Sequence, residues 1–332
     1  MMRRNCRLLL LLLCLPLLTA CGAKAPPLET PPPPETEAAA PPSEPAVLES
    51  TAFTDALGYE VTLQSWDRVV SLYGSFAETW HLAGGTLVGA TEDAVSERGL
   101  ELGEDTAIVG SVKEPNLEEI LALRPDFVIL SADTASHVGL HEALTAAGVP
   151  HAYYQVDAFG DYLHMLGDFC RMTGREDLYE QNGLAVQRQI EEVLAAVEGK
   201  AGPSVLLLRA YATGAKAKGE DNLAGIILRD LGADNLVSRY EGLLEEVSLE
   251  EVIAADPAYL FISTMGDPDK AMAYMAEIFE SNPAWAGLTA VQNGRCIQLP
   301  KELFHYKPNT RWGESYAYLA EILYPELAGQ FQ

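Results

Sequence analysis

The tightest constraint on how this chain can fold is a stretch that it contains twice. Asn116-Leu-Glu-Glu-Ile-Leu-Ala-Leu-Arg-Pro-Asp-Phe-Val-Ile-Leu130 is echoed by Ser248-Leu-Glu-Glu-Val-Ile-Ala-Ala-Asp-Pro-Ala-Tyr-Leu-Phe-Ile262, with Leu, Glu, Glu, Ala and Pro at matching places. Each copy reads as a short helix leading into a buried strand. Asn116 and Ser248 can cap the first turn, and Glu119 and Glu251 stand three residues on, where a capping box wants a carboxylate. Pro125 and Pro257 stop the helices, and the apolar runs that follow read as central strands. The copies lie about 130 residues apart, well beyond the roughly 20 to 50 residues of a solenoid period. The spacing implies two lobes of similar α/β build.

Residues 1–20 carry a basic start (Arg3, Arg4, Arg7), a leucine run and small residues at its exit, the pattern of a signal peptide. Leu18-Thr-Ala-Cys21 resembles a bacterial lipobox, which implies cleavage before Cys21 and lipidation of its thiol. Acyl chains partition into a bilayer at about 0.8 kcal/mol per buried methylene, so several of them hold a protein at a membrane face. Residues 21–50 are rich in Pro, Ala, Glu and Thr, a composition that cannot offset ordering entropy and reads as a stiff, disordered spacer.

The remainder is long enough for two ordinary cores. The net charge is −26, and loss of the three signal-peptide arginines takes it to −29. Such acidity repels phosphate backbones and excludes nucleic acid as a partner, so any basic cluster needs its own explanation. Cys170 and Cys296 read as buried thiols, with a disulfide as the alternative.

Ligands of open α/β sheets bind outside the carboxyl ends of strands. In the first lobe, residues 51–158, Asp55 to Leu63 reads as a hairpin and Arg68 to Leu72 as the first interior strand. The turns after successive strands then offer Tyr73, Ser75 and Glu78, next Lys113, next Asp133, and finally Tyr154; Ser75 could equally serve only as a helix cap. His137 and His141 lie four apart on an expected helix, a spacing that can hold a metal, although a structural role is the stronger reading.

Residues 159–200 read as connecting helices, the second about 25 residues and therefore nearly 38 Å long, a spine between lobes that would flex little. In the second lobe, residues 201–332, a strand from Ser204 ends at Arg209, and Arg209 to Gly219 reads as a loop carrying Arg209, Tyr211, Lys216 and Lys218. Met265 follows the second copy's strand. The stretch from Pro300 to Trp312 gathers Phe304, His305, Tyr306, Arg311 and Trp312, groups suited to a planar or anionic ligand. For Phe304 and Trp312, packing against the core is the competing reading.

Along its mature length the chain resembles the helical-backbone class of bacterial ABC-importer binding proteins for ferric siderophores, haem and vitamin B12. Asp55-Ala-Leu-Gly, Arg68-Val-Val-Ser-Leu, the two repeat copies, and Asn282-Pro-Ala-Trp with Ala290-Val-Gln-Asn-Gly-Arg carry the likeness. The resemblance implies an α/β fold of two Rossmann-like lobes joined by a long spine helix, with the ligand cleft between them. It also implies a lipid-anchored monomer on the extracytoplasmic face of a bacterial membrane, with an ABC permease dimer and its ATPase as partners. Glu118 and Glu250 match the surface glutamates that dock on the permease. The expected ligand is a chelated metal, iron in a siderophore or haem, with the cobalt of cobalamin as the alternative; no intrinsic cofactor is implied. Tyr73, His305 or Tyr306 could ligate haem iron. Scattered histidines argue against a bare metal ion. No nucleophile elbow, zinc-protease motif or phosphate loop appears, so an enzyme is the less favoured class, as is a sensory receptor.

Overall fold

The structure, a computed structural model, describes residues 51–240 and 248–331. The expected signal segment, Cys21 and the spacer lie outside the described residues, as does Val247. The chain opens with an antiparallel hairpin, β1 (Thr51–Thr54) and β2 (Glu60–Leu63). Asp55 closes its turn, accepting from the amides of Leu57 and Tyr59 at 2.9 Å each, and its other oxygen accepts from the Tyr153 amide at 3.0 Å. One buried carboxylate thus ties the hairpin to the sheet behind it.

That sheet holds β3 (Val69–Ser71), β4 (Leu87–Ala90), β5 (Ala107–Ile108), β6 (Phe127–Ser131) and β7 (His151–Tyr154), all parallel, in the order β5-β4-β3-β6-β7. The second lobe holds β8 (Ser204–Tyr211), β9 (Gly214–Ala217), β10 (Asp234–Asn235), β11 (Tyr259–Thr264) and β12 (Cys296–Gln298), in the order β10-β8-β11-β12, with β9 antiparallel on β8. Strand order reverses between the parallel neighbours β3 and β6 in one lobe and between β8 and β11 in the other, which opens a crevice at the carboxyl ends of both pairs.

The two repeat copies take equivalent places. Their helices, Leu117–Ala122 and Leu249–Ala255, lead into β6 and β11, and each of these strands lies beside the first strand of its sheet. Asn116 Oδ1 accepts from the amides of Glu118 and Glu119, and Ser248 Oγ from that of Glu251. The expected reciprocal half of the first capping box is not used, because the Asn116 amide donates to the Val109 carbonyl at 2.8 Å. Arg124 and Asp256, immediately before the two prolines, both adopt left-handed backbone (φ 47 and 41), so the copies match even where a non-glycine residue is strained. Asp256 recovers energy by accepting from the amide and hydroxyl of Thr289 at 2.7 and 2.6 Å.

After Phe159–Thr173, the spine runs over 176–197 as an α-helix (Glu176–Tyr179), a π turn (Glu180–Leu184) and a longer α-helix (Ala185–Val197). A path of this length covers about 33 Å at 1.5 Å per residue. The π turn places Asn182, whose amide donates to the Leu82 carbonyl at 2.8 Å and whose own carbonyl accepts from the Tyr162 hydroxyl. The Trp312–Leu323 helix packs along the spine. Because strand side chains alternate, Phe127 and Ile129 on one sheet, and Val205, Leu207, Tyr259 and Phe261 on the other, meet the spine's Val186, Ile190 and Val193 in a single apolar core. Val128, Leu130 and Ile262 turn to the outer layers.

Three local expectations fail for physical reasons. Helix Gly74–Leu82 begins directly after the Tyr73 cap, earlier than a Ser75 cap would place it, since Asp93 Oδ2, distant in sequence, accepts from the Gly74 amide at 2.6 Å; Ser75 is therefore inside the helix and not its cap. The expected loop after Arg209 is a hairpin, in which Ala215 and Ala217 face inward while Lys216 stays exposed. The alternation Ala-Lys-Ala-Lys was its strand signal. His137 and His141 do not share a helix face, because the chain breaks into two short helices, Ala135–Val138 and His141–Ala146. No group of three or more His, Cys, Asp or Glu among the described residues could hold a metal ion. Cys170 and Cys296 stand as free thiols, both pushed up to about 11 by burial.

His137 is fully buried. Its Nδ1 accepts from the Ser131 amide at 3.1 Å, so the proton sits on Nε2, which donates to the Val112 carbonyl at 2.9 Å. Burial lowers its pKa to about 4. The unfolded chain binds a proton here below about pH 6.5 and the folded chain does not, so this residue removes stability as pH falls from 6.5 towards 4, by roughly 3 kcal/mol in all. Urea titrations at pH 7 and 4.5 should show a smaller loss for His137→Gln than for the parent; equal losses would contradict the assignment.

Candidate functional site

A cavity of about 370 Å³ opens where the two lobes face each other, lined by Tyr73, Ser75, Glu92, Asp93, Ser96, Glu97, Ser111, Val112, Lys113, His305 and Tyr306. The first nine come from segments that follow β3, β4 and β5; the last two follow the short Lys301–Phe304 helix after β12. His137 holds the β5 side in place, since its Nε2 and the Ser136 hydroxyl (3.1 Å) both donate to the Val112 carbonyl.

The two walls differ in sign. On the first lobe, Glu92, Asp93 and Glu97 line the cavity, and Asp133 lies nearby at the end of β6. Burial, and then the charges of Asp93, Glu97 and Asp133, push the Tyr73 phenol up to about 12. Burial and Asp93 likewise raise Glu97, partly offset by Lys301 and a hydrogen bond with Tyr306. On the second lobe, burial followed by the charges of Lys301, Arg209 and Lys307 lowers His305 to about 4, so its imidazole is neutral at ordinary pH. Lys301 Nζ donates to the Gly266 carbonyl at 2.9 Å and sits 5.2 Å from the centre of the Tyr306 ring. The buried polar atoms without a hydrogen-bond partner among the described residues include Asp93 Oδ1 on one wall and Arg209 Nε beside the other.

A strap of residues next to the cavity joins the lobes. Lys307 pairs with Asp157 at 3.3 Å. Fully buried Asn309, left-handed at φ 54, donates to the Ser75 carbonyl at 2.9 Å and to Glu78 Oε2 at 2.6 Å, and the same oxygen receives Arg98. This network engages Glu78, midway along the first helix, which does not line the cavity.

Of the residues singled out from sequence, Tyr73, Ser75, Lys113, His305 and Tyr306 come together in this cavity. Asp133 stands close enough to act on Tyr73, and Arg209 close enough to act on His305. Tyr211 ends β8, Lys216 lies opposite Arg209 on β9, and exposed Met265 follows β11, all on the second lobe's carboxyl edge. Four are elsewhere. Phe304 and Trp312 are core residues, 2 % and 0 % exposed, the latter edge-to-face with Phe159. The helix on which Trp312 begins turns it inward. Arg311 is exposed and donates from Nε and Nη2 to the two carboxylate oxygens of Glu314, at 2.7 and 2.8 Å. Tyr154 is buried among Phe53, Phe76 and Phe169 and borders a separate cavity with Asp157, Asp161 and Asp168. Sequence reasoning missed Glu92, Asp93, Ser96 and Glu97. They follow β4 at its carboxyl end, so the rule that selected Tyr73 and Asp133 would have found them.

Comparison with known proteins agrees with this architecture. The Fe(3+)-citrate-binding protein YfmC of Bacillus subtilis is 27% identical over 239 residues, 71% of this chain and 73% of its own length. The structure of Staphylococcus aureus SirA complexed with staphyloferrin B superposes with a TM-score of 0.61 at 22% identity, covering 83% of this chain and 98% of that one. A periplasmic heme binding protein from Pseudomonas aeruginosa superposes with a TM-score of 0.61 at 25% identity, over 78% and 93% of the two chains. The periplasmic binding protein family matches residues 69–303, both sheets and the spine included, and the chain belongs to that family.

Proposed function

We propose that this protein is a lipid-anchored, extracytoplasmic receptor that captures a ferric chelate between its lobes and delivers it to an ABC permease dimer driven by an ATPase. The observation that carries the reading is the gathering of Arg209, Lys301 and Lys307 around His305 in a chain of net charge −26. A very acidic protein that concentrates cations at one wall of its cleft is suited to an oxygen-rich, anionic ligand. A relative named for ferric citrate supports the same class. Haem suits the walls less well: burial and then the neighbouring carboxylates keep the Tyr73 phenol protonated, and most of the lining residues carry polar or charged side chains. Cobalamin remains the alternative ligand. Lipidation of Cys21 would supply the anchor, and among the described residues no helix is long and apolar enough to cross a membrane.

Glu118 and Glu250 are the proposed docking groups. Both are exposed in the first turn of equivalent helices. A helix leading into a parallel strand runs back along its sheet, so both first turns sit towards the carboxyl edge that bears the ligand residues.

Titration of the purified protein with ferric dicitrate, a ferric trihydroxamate, haem and cobalamin, followed by absorbance and tryptophan fluorescence, tests the ligand class. At least one non-haem ferric chelate should bind below about 10 μM, roughly −7 kcal/mol. Binding of cobalamin or haem alone would reverse the assignment.

A further inference from the structure

We infer that the ligand carries a protonated amine as well as anionic oxygens, and that Glu92, Asp93 and Glu97 of the first lobe receive it. The inference rests on the ferric-chelate reading and refines it. Three carboxylates line one wall of the cavity, and of them Asp93, through Oδ2, is the one that helps to hold the fold. Glu92 and Glu97 are exposed and make no ion pair among the described residues. Arg98, the nearest arginine in sequence, is committed to Glu78. Asp93 is 9 % exposed; Oδ2 takes the Gly74 amide, and Oδ1 has no partner among the described residues.

A carboxylate oxygen buried without a donor forfeits the hydrogen bonds it makes in water, and a donor brought by the ligand would recover that energy. Tyr73 adds a neutral phenol beside the carboxylates, since burial and those charges hold its proton on. Lys301 and Tyr306 lie on the Glu97 side, and Lys113 is the lysine that the cavity lining itself contains. A wholly anionic chelate would meet attraction on the second lobe and repulsion on the first. A chelate of mixed charge satisfies both walls at once, and specificity arises as much from the repulsion as from the attraction.

The test compares ferrioxamine B, a ferric trihydroxamate with one free amine, with its N-acetyl derivative, which differs by loss of that charge, and with ferric dicitrate. Calorimetric titration of the full chain is run on the parent and on a Glu92→Gln/Glu97→Gln variant, both checked for unchanged melting. The expected result is about tenfold tighter binding of the amine than of its acetylated form, from one charge-assisted contact. In the variant this gap should close to within about twofold while ferric dicitrate gains affinity. Equal affinity for the two trihydroxamates in the parent, or a preference that survives the substitutions, would overturn the inference. Binding of ferric dicitrate alone would overturn it and leave the ferric-chelate reading standing. Failure of all three chelates to bind would remove both.

Discussion

Reversing the charge at both proposed docking positions, Glu118→Lys with Glu250→Lys, should reduce uptake of the ligand to background while the affinity of the purified protein stays within about twofold. The residues lie outside the cavity lining, on exposed first turns, so the ligand site keeps its shape. The fold should tolerate the change as well. Lysine at a helix N-terminus opposes the helix dipole by only about 0.3–1 kcal/mol, whereas a like charge set against a complementary surface costs several kcal/mol. If each lobe supplies one such contact, as proposed, binding to a permease dimer would be bivalent, and a single reversal should leave partial transport because the second contact would still hold. Labelled-iron uptake by cells carrying each variant, beside equilibrium titration of the same proteins, makes the measurement. Normal uptake by the double variant would refute the docking assignment.

Trp312→Ala should cost about 3–5 kcal/mol of stability, the usual loss when a large aromatic leaves a packed core. Trp312 is fully buried, lies against Phe159, and begins the helix that packs along the spine. Its indole Nε1 is buried without a partner among the described residues, so Trp312→Phe gives up volume but also removes an unsatisfied donor and should cost less. Urea unfolding measures both losses, and titration of the folded variants should return the parent affinity. If Trp312→Ala unfolded like the parent yet lost ligand, the indole would belong to the binding surface after all.

The contrast between Trp312 and His305 shows what the sequence could and could not tell. Both stand in one aromatic and basic stretch, and composition alone gives them equal standing. What separates them is helix phase: Phe304 and Trp312 fall on faces turned to the core, while His305 and Tyr306 occupy the break between two helices, and phase within so short a segment is set by tertiary packing. The repeat was legible because capping, proline stops and strand periodicity all pointed the same way in both copies. The early start of the first helix was not, since its cap comes from Asp93, across a strand and a turn. Nor did the stretch after Arg209 reveal its hairpin while its lysines were weighed only as charges. The acidic wall was hidden differently: in a chain so rich in carboxylates, three more carry no signal until the fold sets them opposite lysine and arginine.

The single apolar core that passes from one sheet through the spine to the other constrains how such a protein can be altered. Its halves are not cassettes. A cut near residue 200 would strip Val186, Ile190 and Val193 of partners and leave both fragments sticky, and grafting one half onto a foreign partner would meet a mismatched seam. New ligand preferences must therefore be written into the short segments that leave the strands, where a change of charge need not disturb anything beneath.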